Sequence, residues 1–179
     1  MDISKISSGK KLPHEINVII EIPGGGQPVK YEFDKESGAL FVDRFMQVSM
    51  SYPCNYGFIP HTLSEDGDPC DVLVLVDTPV IPGCVIKARP IGVLMMEDEA
   101  GFDEKILAVP MEKEHPYYAN IKSYKDLPEI TLRKIKHFFE NYKSLEEGKW
   151  VKVKDWEDAD KAKELITRSV ERAASKIVK

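Results

Sequence analysis

Asp66-Gly67-Asp68-Pro69-Cys70-Asp71 runs without a break into Val72-Leu73-Val74-Leu75-Val76, and these two stretches together decide how the chain is read. Gly67 permits unusual backbone angles and Pro69 fixes its own φ, so the first stretch reads as a turn. The apolar run after it is too continuous for a half-exposed strand. It predicts a strand buried on both faces or inside a barrel wall. Three carboxylates therefore crowd the mouth of the most hydrophobic element. Like charges that close repel unless a cation sits between them, and oxygen-only ligands suit a hard divalent ion such as Mg²⁺. An ordinary solvated turn competes with this reading, because Asp, Gly and Pro dominate turns. An EF-hand is excluded. Counted from Asp66, that loop needs an oxygen donor where Cys70 stands, Gly where Asp71 stands and Glu where Asp77 stands.

At 179 residues the chain is long enough for one domain with a real core, expected to span 1–179. The net charge of −5 argues against a nucleic-acid binder. No apolar stretch approaches the roughly 20 residues of a membrane span. Met1 to Lys5 lacks the apolar core of a secretory signal. Cys54, Cys70 and Cys84 are odd in number, form no Cys-x-x-Cys and have no histidine at zinc-ligand spacing. They are read as reduced, which suits the cytoplasm.

Working outward, Ile16–Ile22 is a strand candidate whose apolar end is interrupted by Glu21, for which an edge position with the carboxylate in water is the bland alternative. Val29–Phe33 alternates with period two and puts Lys30 and Glu32 on one face. Ala39–Phe45 is a third strand, with Arg44 near its end. Three strands joined by short turns suggest a meander closing into a small barrel. Tyr52–Pro60, dense in Pro, Gly and aromatics, reads as neither helix nor simple strand, with Tyr52 and Tyr56 as ring anchors. Val85–Pro90 and Ile91–Met96 are read as successive strands, and Asp103–Val109 as the return of a hairpin tipped by Glu97–Phe102. Asp98 and Asp103 flank that tip, and Asp103 and Lys105 share a face. Beyond Pro128 the period becomes helical: Ile135, Phe138, Phe139 and Tyr142 form one stripe, and Lys143 follows at the end where a cation suits the dipole. Trp150–Val153 is a short strand, and Asp158–Val178 a second amphipathic helix with Ala162, Ile166, Ser169, Ala173 and Ile177 on one side. The expected fold is mainly β with α, a closed β-barrel with two peripheral helices.

Two unlike sets of residues emerge. One is acidic: Asp66, Asp68, Asp71, Asp98 and Asp103, with Glu21 and Glu32 as outliers. The other is basic or phenolic: Lys30, Arg44, Lys105, Lys143, Tyr52, Tyr56 and Tyr142. Carboxylates hold Mg²⁺ weakly unless substrate oxygens complete its shell, and Lys, Arg and Tyr donors are what phosphoryl oxygens need. A site with both sets would bind a metal-chelated polyphosphate for in-line displacement.

The chain resembles the family I soluble inorganic pyrophosphatases in their short bacterial form. The resemblance rests on residues 66–71, on Ser37-Gly38-Ala39-Leu40 through Val42-Asp43-Arg44, and on Tyr52-Pro53-x-Asn55-Tyr56-Gly57. It also rests on Arg89-Pro90-Ile91-Gly92 through Asp103-x-Lys105-Ile106-Leu107-Ala108-Val109-Pro110. Position 70 is usually aliphatic in that family, and Cys70 is small and apolar enough to replace it in packing. The resemblance implies an oligonucleotide-binding-like (OB-like) barrel and hydrolysis of pyrophosphate to two phosphates. It implies attack by a metal-activated water, several Mg²⁺ ions per site and a homo-oligomer, a hexamer in the bacterial form. By the same resemblance Asp66, Asp71, Asp98 and Asp103 are metal ligands, and Asp68 is the general base. Lys30, Arg44, Tyr56, Lys105, Tyr142 and Lys143 are substrate-binding groups, with Glu21, Glu32 and Tyr52 in support. Two other classes stay open on the residues alone: a nucleic-acid-binding barrel without catalysis, and an enzyme of larger phosphoanhydrides such as a nucleoside triphosphate.

Overall fold

The structure is a computed structural model that describes residues 1–177. Nine strands and two α-helices make up the described chain, together with three short 3-10 turns. The strands are β1 (Ile16–Ile22), β2 (Val29–Phe33), β3 (Leu40–Phe45), β4 (Asn55–Phe58), β5 (Asp71–Val74), β6 (Val85–Asp98), β7 (Gly101–Phe102), β8 (Lys105–Pro110) and β9 (Val151–Asp158). The helices are α1 (Glu129–Asn141) and α2 (Ala159–Ile177).

Five strands close on themselves. β1 pairs with β4, β4 with β5, β5 with β8, β8 with β6, and β6 returns to β1. All of these pairs are antiparallel except β5–β8, which is parallel. The ring is the expected OB-like barrel, and closure removes the open edges that a sheet would otherwise expose. β9 extends the far half of β6. β2 and β3 stay apart as a two-stranded sheet, so the expected meander is corrected: the hairpin flanks the ring instead of joining it.

The apolar run after Asp71 is buried on both faces, as its composition predicts. Leu73 belongs to a core cluster with Phe138 and Phe139 of α1, whereas Val72 and Val74 join one with Ala162 and Ile166 of α2. Alternate side chains of β5 thus feed two cores, and each helix covers one of them. The strand ends at Val74; Leu75 and Val76 are half-buried, and the Leu75 N–H still donates to the Ala108 carbonyl of β8 at 2.9 Å.

Four further expectations change. Residues 55–58 are a barrel strand and not a loop, because β4 is sandwiched between β1 and β5. Gly57 permits this: a Cβ there would lie 1.9 Å from the Ile19 carbonyl oxygen. The two strands expected on either side of Pro90 are one strand of 14 residues, with a bulge between Pro90 and Gly92. A bulge is where a ladder tolerates a residue without an N–H. The return strand of the hairpin starts at Lys105; ahead of it Gly101–Phe102 pair with the end of β6, and the Asp103 N–H donates to the Met96 carbonyl at 3.0 Å. β9 runs to Asp158, well past Val153, because it has β6 to pair with.

The α1 stripe is as expected, with Ile135, Phe138 and Phe139 buried and Tyr142 just past the last helical residue. On α2, Ala162, Ile166 and Ser169 are buried and Ala173 is half-buried; Val178 lies outside the described residues. No described helix is long and apolar enough to cross a membrane.

Gly57→Ala should destabilise the barrel by about 1–3 kcal/mol or more, because both clashing partners are backbone and neither can rotate away. Thermal denaturation checks this, and a melting temperature equal to wild type would contradict the close approach of β4 to β1.

Candidate active site

All fourteen residues singled out from the sequence line a single cleft of about 190 Å³. Strand direction brings them together. β5 and β8 are parallel, so Asp71 at the start of one lies at the same end as Asp103 and Lys105 at the start of the other. β6 runs antiparallel to β8, which returns its last residue, Asp98, to that end. β1 contributes Glu21, β2 Lys30 and Glu32, β3 Arg44, and β4 Tyr56 with Tyr52 just ahead of it. Tyr142 and Lys143 close the cleft from the end of α1.

At the centre lies Lys105, 3 % exposed. Its Nζ donates to Asp71 Oδ2 at 2.5 Å and to Asp103 Oδ1. Burial works against the ammonium, but Asp103 and Asp71 outweigh it and hold Lys105 well above the usual lysine value. The same ammonium stands 5.6 Å from the centre of the Tyr56 ring. Burial, and then the nearby Asp71 carboxylate, push the Tyr56 hydroxyl well above the ordinary phenol value. Burial does the same to Tyr142. Both phenols are therefore proton donors at any working pH. Tyr52 packs between Tyr56 and Phe138, its ring tilted to both at centroid distances of 5.1 Å and 4.7 Å, and so fixes the phenolic wall.

Each of the remaining cations rests against an acid. Lys143 Nζ donates to Asp98 Oδ2 at 2.7 Å. Lys30 Nζ lies 3.2 Å from Asp43 and 3.5 Å from Glu32, the same-face contact that strand parity predicts. Arg44 Nε lies 3.3 Å from Glu146 Oε1, and neither atom has a hydrogen-bond partner among the described residues. Glu21 is not at a wet edge. It is 6 % exposed and accepts the Phe33 N–H at 2.8 Å, and burial pushes its carboxyl up to about 8.

The acidic loop caps the cleft. Gly67 has φ +97°, the left-handed region that favours glycine, and the Asp68 N–H donates to Asp66 Oδ1 at 3.0 Å. Burial raises Asp66, and the negative charges of Asp103, Asp71 and Asp68 raise it further, so these carboxylates face one another. Asp68 is exposed, with Lys35 at 3.8 Å.

The sequence reading missed three contributors. Lys35 lines the cleft from the β2–β3 turn; Asp43 and Glu146 hold Lys30 and Arg44. Asp43 sits inside the quoted Val42-Asp43-Arg44 motif and could have been flagged there. Lys35 and Glu146 carry no local signal.

The donor set fits a hard divalent ion. Every acid in the cleft offers oxygen alone, and the mutual repulsion raising Asp66 is what a cation would relieve. Seven carboxylates face five cationic side chains in the cleft, so it is net negative and would repel an anion unless metal came with it. Among the described residues no three acidic, His or Cys side chains converge into a ready cage, so substrate and water oxygens would have to complete the shell.

Comparison with known proteins points to one family. The family model for inorganic pyrophosphatase matches residues 18–174. The inorganic pyrophosphatase of Brucella melitensis is 60 % identical over 176 residues, covering 98 % of this chain and all of that protein. That of Rickettsia bellii is 63 % identical over 172 residues, covering 96 % and 98 % of the two chains. Among solved structures, the Anaplasma phagocytophilum inorganic phosphatase superposes with a TM-score of 0.94 at 56 % identity, covering 95 % of this chain and 99 % of that one. The Thermus thermophilus inorganic pyrophosphatase gives 0.92 at 41 % identity, covering 97 % and 99 %. This chain belongs to the inorganic pyrophosphatase family.

Proposed function

We propose that this chain hydrolyses inorganic pyrophosphate to two orthophosphates with magnesium bound in the cleft. One observation carries the reading: acids and bases from separate elements meet as opposed pairs in a single cleft, in a member of this family. Pyrophosphate resists hydrolysis because its charge repels a nucleophile, so the catalyst must above all cancel charge and position water.

Asp66, Asp71, Asp98 and Asp103 would hold magnesium, which supplies positive charge to the phosphoryl oxygens and makes water a stronger acid. Lys30, Arg44, Lys105 and Lys143 bind and orient phosphoryl oxygens by charge-assisted hydrogen bonds. Tyr56 and Tyr142, kept neutral by burial, donate hydrogen bonds to the same oxygens. Asp68 accepts the proton of the attacking water as the new P–O bond forms and the bridging P–O bond breaks. Its exposed position leaves it room for water. Tyr52 supports the phenolic wall, and Glu21 and Glu32 support the inner shell.

We also read the chain as one domain over 1–179, cytoplasmic and homo-oligomeric, a hexamer by family resemblance. Free cysteines and the exposed Phe41, Val42 and Phe45 support this. Light scattering that gave a monomer mass would remove the oligomer.

Phosphate release from pyrophosphate should require Mg²⁺ and stop with EDTA; metal-independent release, or faster release from ATP than from pyrophosphate, would refute the reading. Asp68→Asn should lose roughly two or more orders of magnitude in kcat, the scale of a general base, while still binding pyrophosphate. Near-normal turnover would take that role from Asp68.

Glu21 gives a pH dependence. Its folded pKa of about 8 exceeds the ordinary 4.5, so folding favours the protonated carboxyl. That contribution is whole below 4.5 and is lost as pH rises through about 8. Glu21→Gln keeps an acceptor for the Phe33 N–H and never ionises. Without metal, its melting temperature should exceed that of wild type increasingly from about pH 5 to about pH 9. A constant difference across that range would show that Glu21 is not buried as described.

A further inference from the structure

The crest of the acidic loop is open to solvent at Gly67 and Asp68, while Asp66 is half-buried toward the cleft. A Cβ at Gly67 would meet no atom within 4 Å, and Asp68 is exposed. Packing at the crest therefore does not set where Asp68 stands over the cleft.

Hydrogen bonds at the root and flank do. The Ile59 N–H donates to the Cys70 carbonyl at 3.0 Å, and the Cys70 N–H donates to Thr62 Oγ1 at 2.9 Å. These tie the foot of the loop to the barrel. The Ser64 N–H donates to the Asp68 carbonyl at 2.6 Å and shapes the crest. The Ser64 bond ties the arm from Leu63 to Glu65 to the crest that rides on it, but it does not tie the arm to the barrel. That arm is held from outside by α2. The Leu63 N–H donates to the Ser169 carbonyl at 2.9 Å. The Arg172 guanidinium donates to the Leu63 carbonyl at 2.6 Å through one terminal nitrogen, and its other lies 3.3 Å from Glu65 Oε1. Only a planar fork can span a carbonyl and a carboxylate in this way; the point charge of a lysine favours one of them.

We propose that Arg172 is a positioning residue for the acidic loop: it bridges the Leu63 carbonyl and the Glu65 carboxylate and so holds Asp66 and Asp68 at their working height over the cleft. This rests on the proposed hydrolysis for its catalytic consequence, but not for the positioning itself. Arg172 touches no substrate. It acts through the loop, as groups behind a metal ligand do, and losing such a group typically costs about tenfold or more in activity or metal affinity.

The test compares wild type with Arg172→Ala, Arg172→Lys and Glu65→Gln. Amide hydrogen exchange of the metal-free proteins is read over residues 63–68 and over β5 and β8. In Arg172→Ala the loop amides should exchange about tenfold faster, with the strands unchanged. Its kcat should fall about tenfold while KM stays within about twofold. Arg172→Lys should recover part of the loss, and Glu65→Gln should shift both readouts in the same direction by less. Loop exchange unchanged in Arg172→Ala, or acceleration shared equally by β5 and β8, would overturn the proposal. If Arg172→Ala fails to fold, Glu65→Gln decides alone, and wild-type exchange in it overturns the proposal. If wild type releases no phosphate from pyrophosphate, the function fails and the exchange data still decide the positioning.

Discussion

One buried ammonium between two carboxylates holds the molecule's chemistry and its fold together. Taking Lys105, Asp71 and Asp103 out of water costs several kcal/mol per ion unless each is paired. Here the pairing is close, and it joins the first residues of β5 and β8, the one parallel pair in the ring. The cluster can therefore be stable only if the barrel closes in this register. A slip by one residue would turn Lys105 into the core and Ile106 toward the cleft.

The rest of the cleft repeats this arrangement more loosely. Lys143 rests on Asp98, Lys30 on Asp43 and Glu32, and Arg44 on Glu146. Each pair compensates both of its charges. Removing one partner of any pair therefore leaves the other charge uncompensated. The excess of acid over base makes the cleft net negative, so a bare anion would be repelled from it.

Much of this was legible because the informative patterns are local. Strand parity put Lys30 beside Glu32 and Asp103 beside Lys105, and the helical period put Phe138 and Phe139 in the core. What failed was equally physical. Residues 55–58 hide a strand because Gly57 is chosen for a close backbone approach rather than for β-propensity. Pro90 reads as a break because nothing local announces the bulge that accommodates it. Glu21 reads as a wet interruption because its partner, the Phe33 N–H, is supplied by another strand. Arg172 and Leu63 are 109 residues apart, and no periodicity spans that distance.

The sequence by itself determined which chemistry was available: oxygen ligands in a turn, cations and phenols on neighbouring segments, and two amphipathic helices to cover a β core. Side-chain type and short-range period suffice for that, because they depend on covalent structure and on the geometry of one element. Only the tertiary structure decided which acid faces which base, that β2 and β3 stand outside the ring, and that the end of α2 steadies the acidic loop. Those outcomes depend on ring closure, and closure is settled by the summed burial and pairing of strands remote in the chain, which no single stretch encodes.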